Sequence, residues 1–246
     1  MLLVPILQNK QIIKMICFLN FIDLYYVIRN EVFIVEDKNA PPILSLGEEI
    51  MNAITHGLGA LFAIIGIILL LLKSDTTMKI IAALIYGISL FVLMLMSCLY
   101  HSFKSNSKVK RLWRRFDYMS IYLLIAGTFA PLLLVYIDLD ITLYVFIIQW
   151  ILTIVGIVFI SVFGPGKFSS LHFTLYFVIG WSGLMFVPYF YTQSLSLLIM
   201  IFIGGLAYTL GMIPFTMNKK YCHALWHVFV LIGAITHFVG IYLFVY

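Results

Sequence analysis

Five side chains stand in long apolar runs that have no structural need of them. Ser97 and His101 close one run, Asp117 opens the next, and His223 and His227 open the last. Polar groups at such positions are costly in a bilayer and tend to mark sites. Residues four apart share a helix face. Ser97 therefore lies one turn from His101, and His223 and His227 can present two imidazole nitrogens to one ion. A third imidazole, from His101, completes a three-His set. Three protein ligands leave a fourth position open, the mark of catalytic rather than structural zinc, and water there is acidified to a pKa of about 7. Soluble zinc peptidases carry their base between the two histidines, as the Glu of H-E-x-x-H, but here Ala224, Leu225 and Trp226 fill that gap. Asp117 is the substitute: it can hold the water, take its proton and offset part of the ion's charge. Ser97 can donate to a polarised carbonyl or orient the water. The competing explanation is that histidines at helix ends sit at the lipid interface or cap carbonyls, and H-x-x-x-H alone does not decide between the two.

Topology favours the metal. The chain has 246 residues, 63% of them hydrophobic and 10% charged, against roughly 25% charged in soluble domains. This excludes a water-soluble enzyme with a separate catalytic domain, a disulfide-stapled module and a disordered chain. A crossing takes about 20 apolar residues, and seven fit, near 49–72, 79–100, 117–137, 141–162, 171–191, 195–216 and 221–245. The pattern predicts an all-α integral membrane protein, a seven-transmembrane-helix bundle over residues 46–246 preceded by a segment 1–45. In that segment the apolar stretch 12–35 is interrupted by Lys14, Asn20, Asp23, Arg29 and Glu31. It suits neither a crossing nor a cleavable signal, and it is expected at the membrane surface. Pro41-Pro42 breaks any helix, and Ser45-Leu-Gly-Glu48 has capping-box spacing, so the first crossing should start at Leu46. The second connection, 101–116, holds Lys104, Lys108, Lys110, Arg111, Arg114 and Arg115; the fourth holds Lys167 and the sixth Lys219 and Lys220. The opposite loops show only Lys73 and, at a helix edge, Lys79. Basic residues resist translocation, so the N-terminus is expected in the cytoplasm and the C-terminus outside. The second span then ends, and the third and seventh begin, at the cytoplasmic face. All five polar residues converge on one membrane depth.

A second stripe, Glu49, Asn52, Thr55 and His56, recurs at helical spacing in the first span. It could supply hydrogen bonds to the metal site or serve as polar glue between helices. His172 and His237 have no evident partner and are expected to be structural. Cys222 points away from the histidine face, and three cysteines imply no disulfide framework. Gly57 with Gly59, Gly180 with Gly183, and Gly204-Gly205 suit close helix packing. The basic loop reads as a topology signal or a contact for anionic lipid heads, and no folded module accompanies it to support nucleic-acid binding.

At these residues the chain resembles the hemolysin III proteins of bacteria, within the larger group of adiponectin and progestin (PAQR) receptors. Glu49-Ile-Met-Asn52-Ala-Ile-Thr55-His56 is similar to the E-x-x-N-x-x-T-H opening, and Ser97-Cys-Leu-Tyr-His101 to S-x-x-x-H. Phe116-Asp117-Tyr118 followed by Ala126-Gly127-Thr128-Phe129-Ala130-Pro131 resembles the third-helix signature, and His223-Ala-Leu-Trp-His227 the last. The resemblance covers residues 46 to 246; the first 45 have no counterpart in it. It implies a seven-helix bundle with the N-terminus inside and a zinc ion held by His101, His223 and His227. Asp117 then contacts the zinc through water, and Ser97 is the motif serine. In related receptors and alkaline ceramidases the arrangement is linked to hydrolysis of lipid amides. Bacterial members are linked to cytolytic pore formation, and some to membrane-lipid homeostasis.

Three functions follow. The polar constellation favours a zinc hydrolase acting on a lipid amide or ester, with a membrane lipid as substrate or ligand. A cytolytic pore has the family name behind it, but no span repeats a polar stripe able to line a water-filled path. A sensor or receptor with structural zinc is the third, and the short outer loops argue against a large protein ligand.

Overall fold

The computed structural model describes residues 37–246. As far as residue 36, the segment expected at the membrane surface lies outside them. The described chain is helical, with α1 Leu46–Lys73, α2 Thr77–Ser102, and α3 Lys108–Pro131 continued by a π turn, Leu132–Tyr136. α4 is Thr142–Phe163. The fifth span consists of α5 Ser169–Trp181, a 3-10 turn Ser182–Phe186 and α6 Val187–Gln193; α7 Leu195–Phe215 and α8 Cys222–Phe244 follow. Seven of these segments are long and apolar enough to cross a membrane, as the hydropathy of the sequence predicts.

Helix starts are set by side chains that satisfy amide groups left without a partner in the first turn. At α1 the expected capping box is formed: Glu48 Oε2 accepts from Ser45 N at 3.0 Å and from Ser45 Oγ at 2.6 Å, while Ser45 Oγ accepts from Glu48 N. At α2, α3 and α7 the side chains of Thr76, Ser107 and Ser194 each accept from a first-turn N–H, without the reciprocal bond. α8 has no side-chain cap of its own. Its leading residue Tyr221 sits at a left-handed φ of 64°, and the Tyr221 N–H donates to Glu48 Oε1 at 2.9 Å. One glutamate therefore closes the start of α1 and anchors the start of α8.

Two boundaries differ from the expectation. The third span begins at Lys108 rather than 117, because Ser107 accepts from Lys110 N at 3.0 Å and starts a helix whose first turns are basic. Lys and Arg lower the hydropathy there but not the helix propensity. The connection 101–116 thus shrinks to a short turn at 103–107, and Asp117 lies well inside α3 instead of opening it. The fifth span, expected to be continuous over 171–191, is interrupted at Ser182–Phe186. Pro188, which has no N–H to give, stands at the start of α6.

The outer surface is apolar as well as the core, in which Leu70, Leu90, Met94 and Phe190 are buried. On α4 the buried stripe is Gln149, Thr153, Gly156 and Ile160, whereas Ile147, Ile151, Ile154, Val158 and Val162 face outward. With lipid tails as apolar as leucine, close fit and hydrogen bonds hold such helices together. Tyr122 of α3 lies against Gly156, its hydroxyl is 2.9 Å from His172 Nδ1 of α5, and Tyr176 Oη donates to Tyr118 O at 2.8 Å. His237 Nε2 donates to Ile201 O at 3.0 Å and its ring fills the space beside Gly204. Both histidines therefore serve the packing. α1 packs on α2 and α8, α7 on α8, α2 on α3, and α3 on α4; the fifth span rests on α3 and α4 and meets α7 through α6. A Cβ at Gly156 would overlap the Tyr122 ring, whereas at Gly180 it would meet only Ile125 at 3.9 Å. Gly156→Ala should cost about 1–3 kcal/mol and lower the unfolding midpoint in detergent, and Gly180→Ala should leave it unchanged; equal effects would contradict this packing.

Candidate metal centre

The end of α2 and the start of α8 bring the three predicted histidines together. One ligand atom from each of His101, His223 and His227 lies within 4.8 Å of the other two. His101 and His227 are buried, and His223 is half-buried. His223 Nε2 stands 3.2 Å from His101 Nε2. Two nitrogens bound to one tetrahedral zinc at 2.0–2.1 Å are separated by about 3.3 Å, so this spacing fits a shared ion.

The Nδ1 atoms of His101 and His227 have acceptors. His101 Nδ1 donates to Glu49 Oε2 at 2.8 Å, which leaves Nε2 with its lone pair. His227 Nδ1 lies 3.2 Å from both Asn52 O and Thr55 Oγ1. The carbonyl oxygen can only accept, so the proton is on Nδ1 and Nε2 is again free. Such outer contacts are the usual means of fixing the tautomer of a metal-binding histidine. His56 stacks on His227 with ring centroids 3.7 Å apart and planes within 2°, and neither of its buried nitrogens has a hydrogen-bond partner. Asn52 Oδ1 is likewise unpartnered. The α1 stripe Glu49, Asn52, Thr55 and His56 thus lies against His101 and His227. The donor set, its spacing and the freed lone pairs fit a metal ion of the zinc type.

Ser97 and Asp117 join His56, His223 and His227 on the wall of a cavity of about 200 Å³. Ser97 stands beside the Asp117 carboxylate. From this polar end the cavity runs between α3, the fifth span, α7 and α8, past Ile121, Tyr176, Trp181 and Tyr208 to Phe190 and Ile241. His227 and Ile241 are fourteen residues apart on α8, or roughly 21 Å at 1.5 Å per residue. Beyond that end the lining is mainly apolar.

One residue that sequence reasoning assigned elsewhere belongs here. Lys110, counted among the loop charges, is fully buried, and its Nζ lies 2.7 Å from Glu49 Oε1. It also donates to Tyr100 O and Phe103 O, each at 3.1 Å. The available signal was its position seven residues before Asp117, on the same face of α3. Cys222, adjacent to His223, is not part of the histidine group.

These features define a seven-span helical membrane protein with a three-histidine group, at one end of the bundle, that could hold a metal ion. The chain belongs to the haemolysin-III related family, whose pattern matches residues 44–238. It is 37% identical over 195 residues to Hemolysin-3 of Bacillus cereus, covering 76% of this chain and 87% of that one. With the Hemolysin-3 homolog of Bacillus subtilis it is 34% identical over 201 residues, 80% and 93% of the two chains. The human Monocyte to macrophage differentiation factor is 29% identical over 206 residues, 81% and 85%, which extends the relationship to the wider PAQR group. The protein is thus a multi-pass membrane protein of the hemolysin III type in the cell membrane.

Protein purified in detergent without chelators should contain about one zinc per chain. His101→Ala and the double change His223→Ala, His227→Ala should remove it, and Cys222→Ala should keep it. Metal-free wild type by elemental analysis would contradict the assignment.

Proposed function

We propose that the protein is a zinc-dependent hydrolase of a lipid amide or ester, acting inside the bilayer and serving membrane-lipid homeostasis. The observation that carries this reading is the junction of two features at one place: a three-imidazole group with free nitrogens, and the polar end of a deep, mainly apolar cavity. When bound, zinc supplies Lewis acidity and lowers the pKa of water. Around it, Glu49, Asn52 and Thr55 hold the imidazoles in the orientation that keeps their ligand nitrogens unprotonated. Asp117, on the cavity wall, is the base: its carboxylate takes a proton from the attacking water and can return it to the leaving amine or alcohol. Ser97 steadies that carboxylate and can donate to the carbonyl oxygen of the substrate. The apolar wall accepts the hydrocarbon chain and keeps bulk water away, which strengthens each of these contacts.

The excess of Lys and Arg at this end supports placing it at the cytoplasmic face, where the substrate's head would meet the histidines without its chain leaving the bilayer. The names of the Bacillus relatives favour a second reading, cytolysis. The cavity supports it poorly: beyond the histidine end its walls are mainly apolar, which suits hydrocarbon better than ions.

Both readings meet in one reconstitution. In liposomes containing a ceramide-like lipid, wild type should release fatty acid, and Asp117→Asn should slow release by about 10²–10⁴-fold without loss of bound zinc. Leakage of an encapsulated dye should be no greater than from empty liposomes. Dye leakage that survives His223→Ala and His227→Ala, with no lipid turnover, would replace the hydrolase by a metal-independent pore.

A further inference from the structure

We propose that Lys110 is a positioning residue for the metal centre, acting through Glu49 to keep Nε2 of His101 free for the ion. This rests on reading the three histidines as a metal centre. A carboxylate inside a membrane bundle needs a compensating charge. Glu49 has one: Oε2 receives His101 Nδ1–H at 2.8 Å, and Oε1 stands 2.7 Å from the fully buried ammonium of Lys110. The latter is a charge contact rather than an aligned hydrogen bond. The remaining contacts of Lys110, to Tyr100 O and Phe103 O, bracket His101 in the last turn of α2. The ammonium meets three oxygens, as many as it has donors. One side chain of α3 therefore grips both the backbone that carries His101 and the carboxylate that orients its ring.

The local competition explains why the grip matters. Asn52 Nδ2 lies 3.4 Å from the same Nδ1 of His101. An amide nitrogen is a donor; if Glu49 drew away, Asn52 would donate to Nδ1 and move the proton to Nε2. That tautomer has no lone pair to give the ion. Lys110 holds Glu49 in place and so biases the ring toward the ligand form.

The test is zinc affinity of detergent-purified protein, measured by competition with a chromogenic chelator, beside the melting temperature of the metal-stripped protein. Lys110→Met and Glu49→Gln should each weaken zinc binding about 10–100-fold. The double variant should be no weaker than the weaker single, because both changes cut one chain of contacts. Lys73→Met is the control: Lys73 Nζ also donates to a backbone carbonyl, Tyr242 O at 2.7 Å, at the opposite end of the bundle. It should lower the melting temperature and leave zinc affinity at the wild-type value. Zinc-loaded wild type together with an undiminished affinity in Lys110→Met would overturn the role of Lys110 alone. Wild type that binds no zinc would remove the metal centre and this role with it. Should Lys110→Met fail to fold, wild-type affinity in Glu49→Gln would suffice to overturn the proposal.

Discussion

The carboxylate of Glu49, held between an imidazole and an ammonium inside an apolar bundle, is the contact on which the site depends. Glu49 and Lys110 are buried, so each charge must find its partner within the protein. Glu49 comes from α1, His101 from α2 and Lys110 from α3, and their meeting fixes three helices in register at one end. Glu48, its neighbour, receives the Tyr221 N–H and sets where α8 starts, two residues before His223. Two consecutive glutamates thus govern the position of the histidines on α2 and α8. The cost of leaving any of these groups unmatched in lipid is what enforces the geometry.

Away from that end, the bundle is assembled by fit rather than by charge. Polar and small residues turn inward on α4, and Ile and Val turn out to the lipid. The fifth span is broken at Ser182–Phe186, and its backbone comes closest to α7 through α6, at the end opposite the histidines. Below that junction the two spans are bridged by side chains, among them Trp181, whose Nε1 donates to Thr209 Oγ1 at 3.1 Å. The cavity occupies the room this arrangement leaves. It extends along α8 from His223 and His227 to Ile241, so the histidine end and the apolar part belong to one continuous cavity.

Much of this was legible in the sequence. A bilayer demands about 20 apolar residues per crossing, and that demand exposes seven spans. It also makes Ser97, His101, Asp117, His223 and His227 conspicuous, because polar groups in such runs need a reason. The start of α3 was not legible, since hydropathy reports transfer to lipid whereas helix continuity is set by Ser107 and by residues that favour helix despite their charge. Lys110 was hidden for the same reason among five other basic residues. The break in the fifth span left a trace in Gly180, Gly183 and Pro188, but the glycines also read as packing surfaces, as Gly204 proves to be against His237. The cavity left none, because it arises from which helices do not touch.

X-ray absorption at the zinc edge, on detergent-purified protein, tests the central claim most directly. Three imidazole nitrogens and one further light atom at about 2.0–2.1 Å are the predicted environment. A sulfur scatterer near 2.3 Å, which would bring in Cys222 or Cys98, or a six-coordinate oxygen shell, would contradict a centre built from His101, His223 and His227.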